Sequence, residues 1–454
     1  MDEKIRVIQY LGSKLRIIDK IENEIHQVTK PGGMVVDLFS GSGVVTRALA
    51  KDYKVVANDV QKYSSLITKV LIKKLPNHTK SMDYTDLIES EAYVNNKKIL
   101  TEIFEQPLAY EKSILENEDY KGLAELCECG VFYDGKNIEE KKYPYVREVF
   151  GESLNLFNKD IIEALRDLRD KYMLFSLYYS NSYFSLEQCI EIDSIRCAID
   201  KINTNKLEDD IEKSLLLVCL MHAVSEIVSS VGKNFAQPIK VTDSKGNIKK
   251  FAIKRCMRDR NMKIETPFRT MHATLLNKNE IFSEENQVFS RDALEVLGEE
   301  VMEAADTFYL DPPYTIDHYS RFYHVLETLV EYDYPVLEEK KFHGKYYLMN
   351  GRYRNDRFQS NYCIPSKGYK ELEALIEKIH SLKANIVLSY SDSNEEHGTR
   401  KRVISKDELI QITKKFYTDV EIKNLNHRYR KLSGKESNRK EINDGELLIV
   451  CRYR

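Results

Sequence analysis

The sequence predicts an α/β protein whose sheet is assembled from both ends of the chain, with a large, mostly helical region inserted between them. Three observations predict it. A β-α-β pattern lies within residues 34–57, further buried-strand runs return only from residue 307, and the stretch from about 62 to 275 is charged, Tyr-rich and helical in pattern.

Residues 15–28 place Leu15, Ile18, Ile21, Ile25 and Val28 at helical spacing, and Pro31, Gly32 and Gly33 close that helix with a turn. Residues 34–39 form a short apolar run into the glycine-rich turn 40–43. A helical stretch, 44–51, and a second apolar run, 53–57, complete the unit. Comparable runs recur at 307–310, 384–390 and 447–451, with a helical pattern over 369–382. The expected division is therefore 1–61 and 276–454 for the two parts of the sheet domain, and 62–275 for the insertion. The chain shows no repeat and no low-complexity segment.

With 454 residues, 42% of them hydrophobic, the chain buries a sizeable core, which excludes a small stapled scaffold. Lys and Arg number 69 against 72 Asp and Glu, so a nucleic-acid partner must be met by a local basic surface. The start, MDEKIRVIQYLGSK, has no apolar stretch behind a basic cluster, and a cytoplasmic location is expected. The most apolar window, 215–231, is interrupted by His222, Glu226 and serines, which fits a buried helix and no membrane span. Cys127 and Cys129 have no second pair at zinc-ligand spacing, so the eight cysteines read as free thiols and no metal is expected. Many of the 29 tyrosines and 17 phenylalanines sit beside Arg or Lys, as in RFYH (321–324) and GRYRNDRF (351–358), a pattern suited to stacking on bases.

Two short motifs carry the chemistry. In the first, Asp37-Leu38-Phe39-Ser40-Gly41-Ser42-Gly43, glycines at a strand-to-helix turn let backbone approach a ligand. A dinucleotide fingerprint would need a third glycine near Thr46, and Thr46 stands there instead. Asp59, at the end of the second strand, is placed to accept from ribose hydroxyls, whether of a nicotinamide or of another nucleoside cofactor. The discriminating motif is Asp311-Pro312-Pro313-Tyr314. Consecutive prolines fix the chain and leave carbonyls pointing out of a strand end. An aspartate and a free carbonyl make two acceptors, as an amino group with two hydrogens requires, and Tyr314 offers a flat face to an extruded base.

Taken with Tyr10-Leu11-Gly12-Ser13-Lys14 and Asn58-Asp59, these motifs resemble, in order, the Dam-like, D12-class family of DNA N6-adenine methyltransferases. A fifth element, Ser290-Arg291-Asp292-Ala293, is similar to that family's segment for the cofactor's adenine. The resemblance implies a Rossmann-like S-adenosylmethionine-dependent methyltransferase sheet, with the inserted region in the position of target recognition. It implies cofactor contacts from Tyr10, Gly12, Ser13, Lys14, Asp37, Phe39, Gly41, Gly43, Asp59, Asp292, Ala293 and Asp311. Lys14 would lie near the methionine carboxylate and Asp292 would accept from the adenine amino group. Asp311, Pro312, Pro313 and Tyr314 would be the catalytic group, and transfer to a flipped-out base would be direct.

Neighbouring chemistries rank lower. No Pro-Cys dipeptide supplies the nucleophile of C5-cytosine methylation. N4-cytosine and RNA adenine methylation stay open as alternatives, and a non-catalytic nucleic-acid-binding protein on the same scaffold is more remote. Double-stranded DNA is the expected partner, and a separately encoded restriction endonuclease could accompany the enzyme. Expected DNA contacts are Lys254, Arg255 and Arg258 within a basic stretch that also holds Lys249, Lys250 and Arg260. Arg352, Arg354 and Arg357 form a second group, and Arg428 and Arg430 in HRYRK (427–431) a third.

Overall fold

The computed structural model describes residues 5–75, 81–128, 131, 172–202, 207–278, 282–392, 402–430 and 441–454. Cys129 and Lys431 lie outside the described residues, and Arg428 and Arg430 are described as backbone only. The chain divides into two compact units, one of residues 1–75, 278–322 and 358–454, the other of 76–277 and 323–357.

The first unit holds a seven-stranded sheet of β1 (Met34–Asp37), β2 (Lys54–Asn58), β3 (Gln287–Phe289), β4 (Thr307–Leu310), β7 (Asn385–Asp392), β8 (Asp419–Arg430) and β9 (Glu441–Arg452). Its order is β3-β2-β1-β4-β7-β9-β8. Neighbours from β3 through β7 run parallel, while β9 is antiparallel to both β7 and β8. The four residues of β1 are flanked by β2 and β4 and end in three buried positions, so they read as an apolar run without alternation. Helix Ile18–Val28 buries Ile18, Ile21 and Ile25, the periodic positions of its sequence. Helix Gly368–Ser381 lays Leu372, Leu375, Ile376 and Ile379 into a core shared with Val36, Phe308, Ile386 and Ile449.

At the β2 edge a side chain completes the ladder. Val56 pairs with Gln287, and one step back the Val55 amide donates to Asn286 Oδ1 at 3.0 Å. Helix Lys62–Ile72, expected to open the insertion, belongs to the first unit. Ser65 Oγ donates to the Phe289 carbonyl at 2.9 Å, and Lys278 Nζ caps the helix by donating to the carbonyls of Val70, Leu71 and Lys73.

The second unit is mostly helical. Helix Leu207–Ile227 is apolar all round because it is buried all round, from Leu215 through Val224 apart from the half-buried His222. Among the described residues no helix is long and apolar enough to cross a membrane. Residues 323–357, expected in the sheet domain, fold here because the helices satisfy their polar groups. Tyr332 Oη donates to the buried Asp193 at 2.5 Å, the Met173 amide donates to Tyr334 Oη at 3.1 Å, and His324 Nε2 lies 3.0 Å from the Phe235 carbonyl. Two short strands in this segment, β5 (Glu339–Phe342) and β6 (Lys345–Leu348), form an antiparallel hairpin.

Replacing Asn286 by Ala leaves the buried Val55 amide without its acceptor and should cost about 1–3 kcal/mol. Urea unfolding should show a lower midpoint at unchanged slope, and an unchanged midpoint would mean that this side chain does not extend the ladder.

Candidate functional site

A parallel sheet presents ligand sites at the carboxyl ends of its strands, where the strand order reverses. Here that point lies between β1 and β4, because β2 and β3 extend the sheet to one side of β1 and β4 and β7 to the other. Asp37 ends β1, and Asp311 follows the last residue of β4. A cleft of about 1020 Å³ opens there within the first unit. Its wall includes Tyr10, Gly12, Ser13, Lys14, Asp37, Phe39, Gly41, Asp59, Asp292, Ala293, Asp311 and Pro313, residues drawn from five separate motifs.

The glycine-rich turn is shaped by its contacts. Gly41 has φ +51, and a Cβ there would sit 3.0 Å from the Tyr10 ring; Gly43 has φ +72, and its Cβ would meet Thr68 at 2.9 Å. Only glycine keeps this backbone while leaving room for its neighbours. Asp37 is fully buried and tightens the turn, accepting from Thr46 Oγ1 at 2.6 Å and from the Phe39 amide at 3.3 Å. Burial pushes its carboxyl up to about 7 against those two bonds. Asp59 accepts from the Gly41 amide and the Gln61 amide, each at 2.9 Å, which ties the ends of β1 and β2 together on the cleft wall. Burial raises its pKa, opposed by the bonds from Gln61, Ser64 and Gly41.

At the end of β4, the side chain of Asp311 retains 19% exposure and meets a buried cation. Lys14 Nζ lies 3.0 Å from Asp311 Oδ1 and 2.6 Å from Glu446 Oε1, and Ser389 Oγ donates to the same Glu446 oxygen at 2.9 Å. Lys14 is 3% exposed and Glu446 is fully buried. Burial lifts the Asp311 pKa to about 6; Lys14 lowers it and Glu446 raises it. At neutral pH this carboxyl is therefore ionised and accepts hydrogen bonds. Above it, the Tyr309 hydroxyl is buried without a hydrogen-bond partner among the described residues, and Tyr309 lines the cleft. Tyr10 stacks on Tyr319 with ring centroids 5.6 Å apart.

A glycine cradle closed by an aromatic ring, two carboxylates and an orphaned hydroxyl fit a nucleoside-bearing ligand. Residues 10–186 match the family described as D12 class N6 adenine-specific DNA methyltransferase. The match covers 177 of the 454 residues, less than half of the chain.

The chain is also similar to curated methylases. It is 23% identical to Modification methylase LlaI of Lactococcus lactis subsp. lactis over 95% of this chain and 53% of that protein. It is 26% identical to Type II methyltransferase M.FokI of Planomicrobium okeanokoites over 85% of this chain and 44% of the relative. With Modification methylase StsI of Streptococcus sanguinis it shares 23% identity over 96% of this chain and 50% of that protein. The chain thus spans about half the length of these curated relatives.

Several of the expected contact residues have partners within the protein. Lys14, expected beside a cofactor carboxylate, lines the cleft and pairs with two carboxylates of the protein itself. Asp292 caps helix Ala293–Val296 by accepting from the Leu294 amide at 2.9 Å, while staying on the cleft wall. Gly43, Pro312 and Tyr314 are not among the lining residues. Tyr314 packs edge-on against Tyr390 at 5.7 Å, with the Arg402 guanidinium 4.7 Å and Lys14 Nζ 5.4 Å from its ring centroid. Glu446, Ser389, Tyr309, Tyr319 and Arg402 were absent from the sequence reading. Glu446 alone carried a signal there, as a carboxylate entering the apolar run Leu447 to Cys451.

The basic residues divide by burial. Lys254 is exposed, and Arg258 is 67% exposed beside Asp259. Arg255 donates to the Ser230 carbonyl at 2.8 Å and pairs with Asp259, while Arg260 is fully buried against Glu111. Arg354 is 8% exposed and held by Asp333 at 2.7 Å and Asp356 at 3.0 Å; Arg357 pairs with Glu338 at 2.8 Å and lies over Tyr353; Arg352 donates to the Met349 carbonyl at 3.4 Å. These three arginines, expected to face DNA, each have partners within their own segment. Among the described residues no cluster of three or more His, Cys, Asp or Glu could hold a metal ion.

The Lys14 arrangement predicts opposite shifts for two variants. Lys14→Met removes the group that lowers the Asp311 pKa and should move it above about 6, whereas Glu446→Gln removes a group that raises it and should move it below. Carbon-13 titration of the Asp311 carboxyl reads both directions, and identical titrations in all three proteins would show that the ion pairs do not form.

Proposed function

We propose that this chain transfers a methyl group from S-adenosylmethionine to the exocyclic N6 of adenine in DNA. The observation that carries the reading is Asp311. It is an ionised acceptor at the carboxyl end of β4, on the wall of the switch-point cleft, and locked there by Lys14. The family match and the three methylase relatives support the same chemistry.

S-adenosylmethionine would supply a sulfonium methyl: the N6 lone pair forms the N–C bond as the methyl C–S bond breaks, the neutral thioether S-adenosylhomocysteine leaves, and the surplus N6 proton passes to Asp311 and on to solvent. Tyr10, the Gly41 turn and Asp59 would hold it, Asp59 by accepting from ribose hydroxyls with the lone pairs that Gly41 and Gln61 leave. Asp292 and Ala293 would face its adenine. Asp311 would accept one N6 hydrogen and the Pro312 carbonyl, which would have to turn toward the bound base because Pro312 does not line the cleft, the other; together they would localise and aim the nitrogen lone pair. N6 is inside the duplex, so the target base must be flipped out at a cost of a few kcal/mol. No covalent enzyme intermediate enters this scheme. The helical unit is the natural seat of target recognition, with Lys254 and Arg258 as its exposed cations. Because relatives carry the names of modification methylases, a separately encoded restriction endonuclease is proposed as companion, with action on cytoplasmic, nucleoid DNA.

Tritium transfer from labelled S-adenosylmethionine to DNA tests the reading. Asp311→Ala should lower transfer by roughly 10²–10³-fold or more in a folded protein. In the wild type, activity should fall about tenfold per pH unit below about 6, because protonated Asp311 no longer accepts. Wild-type-like turnover by Asp311→Ala would overturn the mechanism. Asp59→Ala should weaken S-adenosylmethionine binding in calorimetry, and unchanged affinity would remove Asp59 from the site.

A further inference from the structure

Residues 339–344, Tyr346 and Tyr347 of the β5–β6 ribbon are exposed, while Leu348 at its base is buried. The register pairs Lys340 with Tyr347 and Lys341 with Tyr346, so each face of the β5–β6 hairpin carries a lysine opposite a tyrosine. Phe342 at its tip is 59% exposed and Tyr346 55%. His343 and Gly344 have φ +46 and +82, the pair of positive values that a tight two-residue hairpin turn needs.

A two-stranded hairpin is marginal on its own, so something must hold this one out. Its base does so. The Glu338 amide donates to the Tyr353 carbonyl at 2.7 Å, the Met349 amide to the Glu338 carbonyl at 2.9 Å, and Leu337 bridges Arg354. Arg354 and Arg357, pinned by Asp333, Asp356 and Glu338, brace that base. The segment thus spends its arginines on rigidity and presents lysines and aromatic rings outward.

We propose that the β5–β6 hairpin contacts duplex DNA, with Lys340 and Lys341 on phosphates and Phe342 against the bases. The occupant follows from charge and shape: the ribbon has three lysines against one glutamate over 339–348, and a two-stranded ribbon fits the major groove. Exposed rings beside cations are the combination that binds nucleic acid with little sequence preference. This inference rests on the proposal that DNA is the substrate.

The experiment is binding of the full chain to a mixed-sequence duplex across a salt series. Joint replacement of Lys340→Ala and Lys341→Ala should make the plot of log affinity against log salt shallower by about two. Phe342→Ser should weaken binding at least about fivefold. Neither change touches buried surface, so thermal midpoint and S-adenosylmethionine affinity should stay at wild-type values. Wild type binding duplex with both variants indistinguishable from it would overturn the hairpin proposal alone. A wild-type chain that binds no duplex at any salt would overturn the DNA substrate as well. If Phe342→Ser leaves DNA binding intact and turns a self-associated wild type into monomer by sedimentation, the surface joins copies of the chain and the proposal fails.

Discussion

Lys14 is the residue on which the site depends. Its ammonium, almost wholly withdrawn from water, stands between Asp311 and Glu446 and so joins the N-terminal turn to the end of β4 and the middle of β9. One cation shared by two carboxylates leaves an excess of acceptor capacity, which explains why burial wins at Asp311 and raises its pKa in spite of the lysine. A buried ion group of this kind is weak evidence for stability, yet removing one member leaves uncompensated charge at a cost of about 3–5 kcal/mol. Its value lies in holding one acceptor in one place.

The sheet delivers these distant residues to one point. The β1–β4 junction sets Asp37 and Asp311 at adjacent strand ends, and the antiparallel β9 returns Glu446 beside Ser389 of β7. The turn after β1 then closes on Tyr10 through glycines that leave no room for a side chain. Asp59, accepting from Gly41, couples that turn to the end of β2.

Much of this was legible in the sequence because strand ends and tight turns leave local marks. The runs at 34–39, 53–57, 307–310 and 384–390 became β1, β2, β4 and β7 within a few residues, and the helix at 369–382 formed one residue earlier. What depends on distant partners was not legible. Glu446 lies 432 residues from the lysine it binds, and the short β3 gains its place only by pairing with β2. Arg354 and Arg357 look like phosphate ligands in GRYRNDRF, and only the fold brings Asp333 and Glu338 against them. The tyrosines of 323–357 likewise reveal their unit only through acceptors and donors supplied by the helices.

The central claim is that the acceptor at Asp311 serves an adenine amine. DNA incubated with the chain and S-adenosylmethionine, digested to nucleosides and weighed by mass spectrometry, tests that most directly. N6-methyldeoxyadenosine is expected from the wild type, and at least roughly a hundredfold less from Asp311→Ala. N4-methyldeoxycytidine as the product, or N6-methyldeoxyadenosine at equal yield from both proteins, would contradict it.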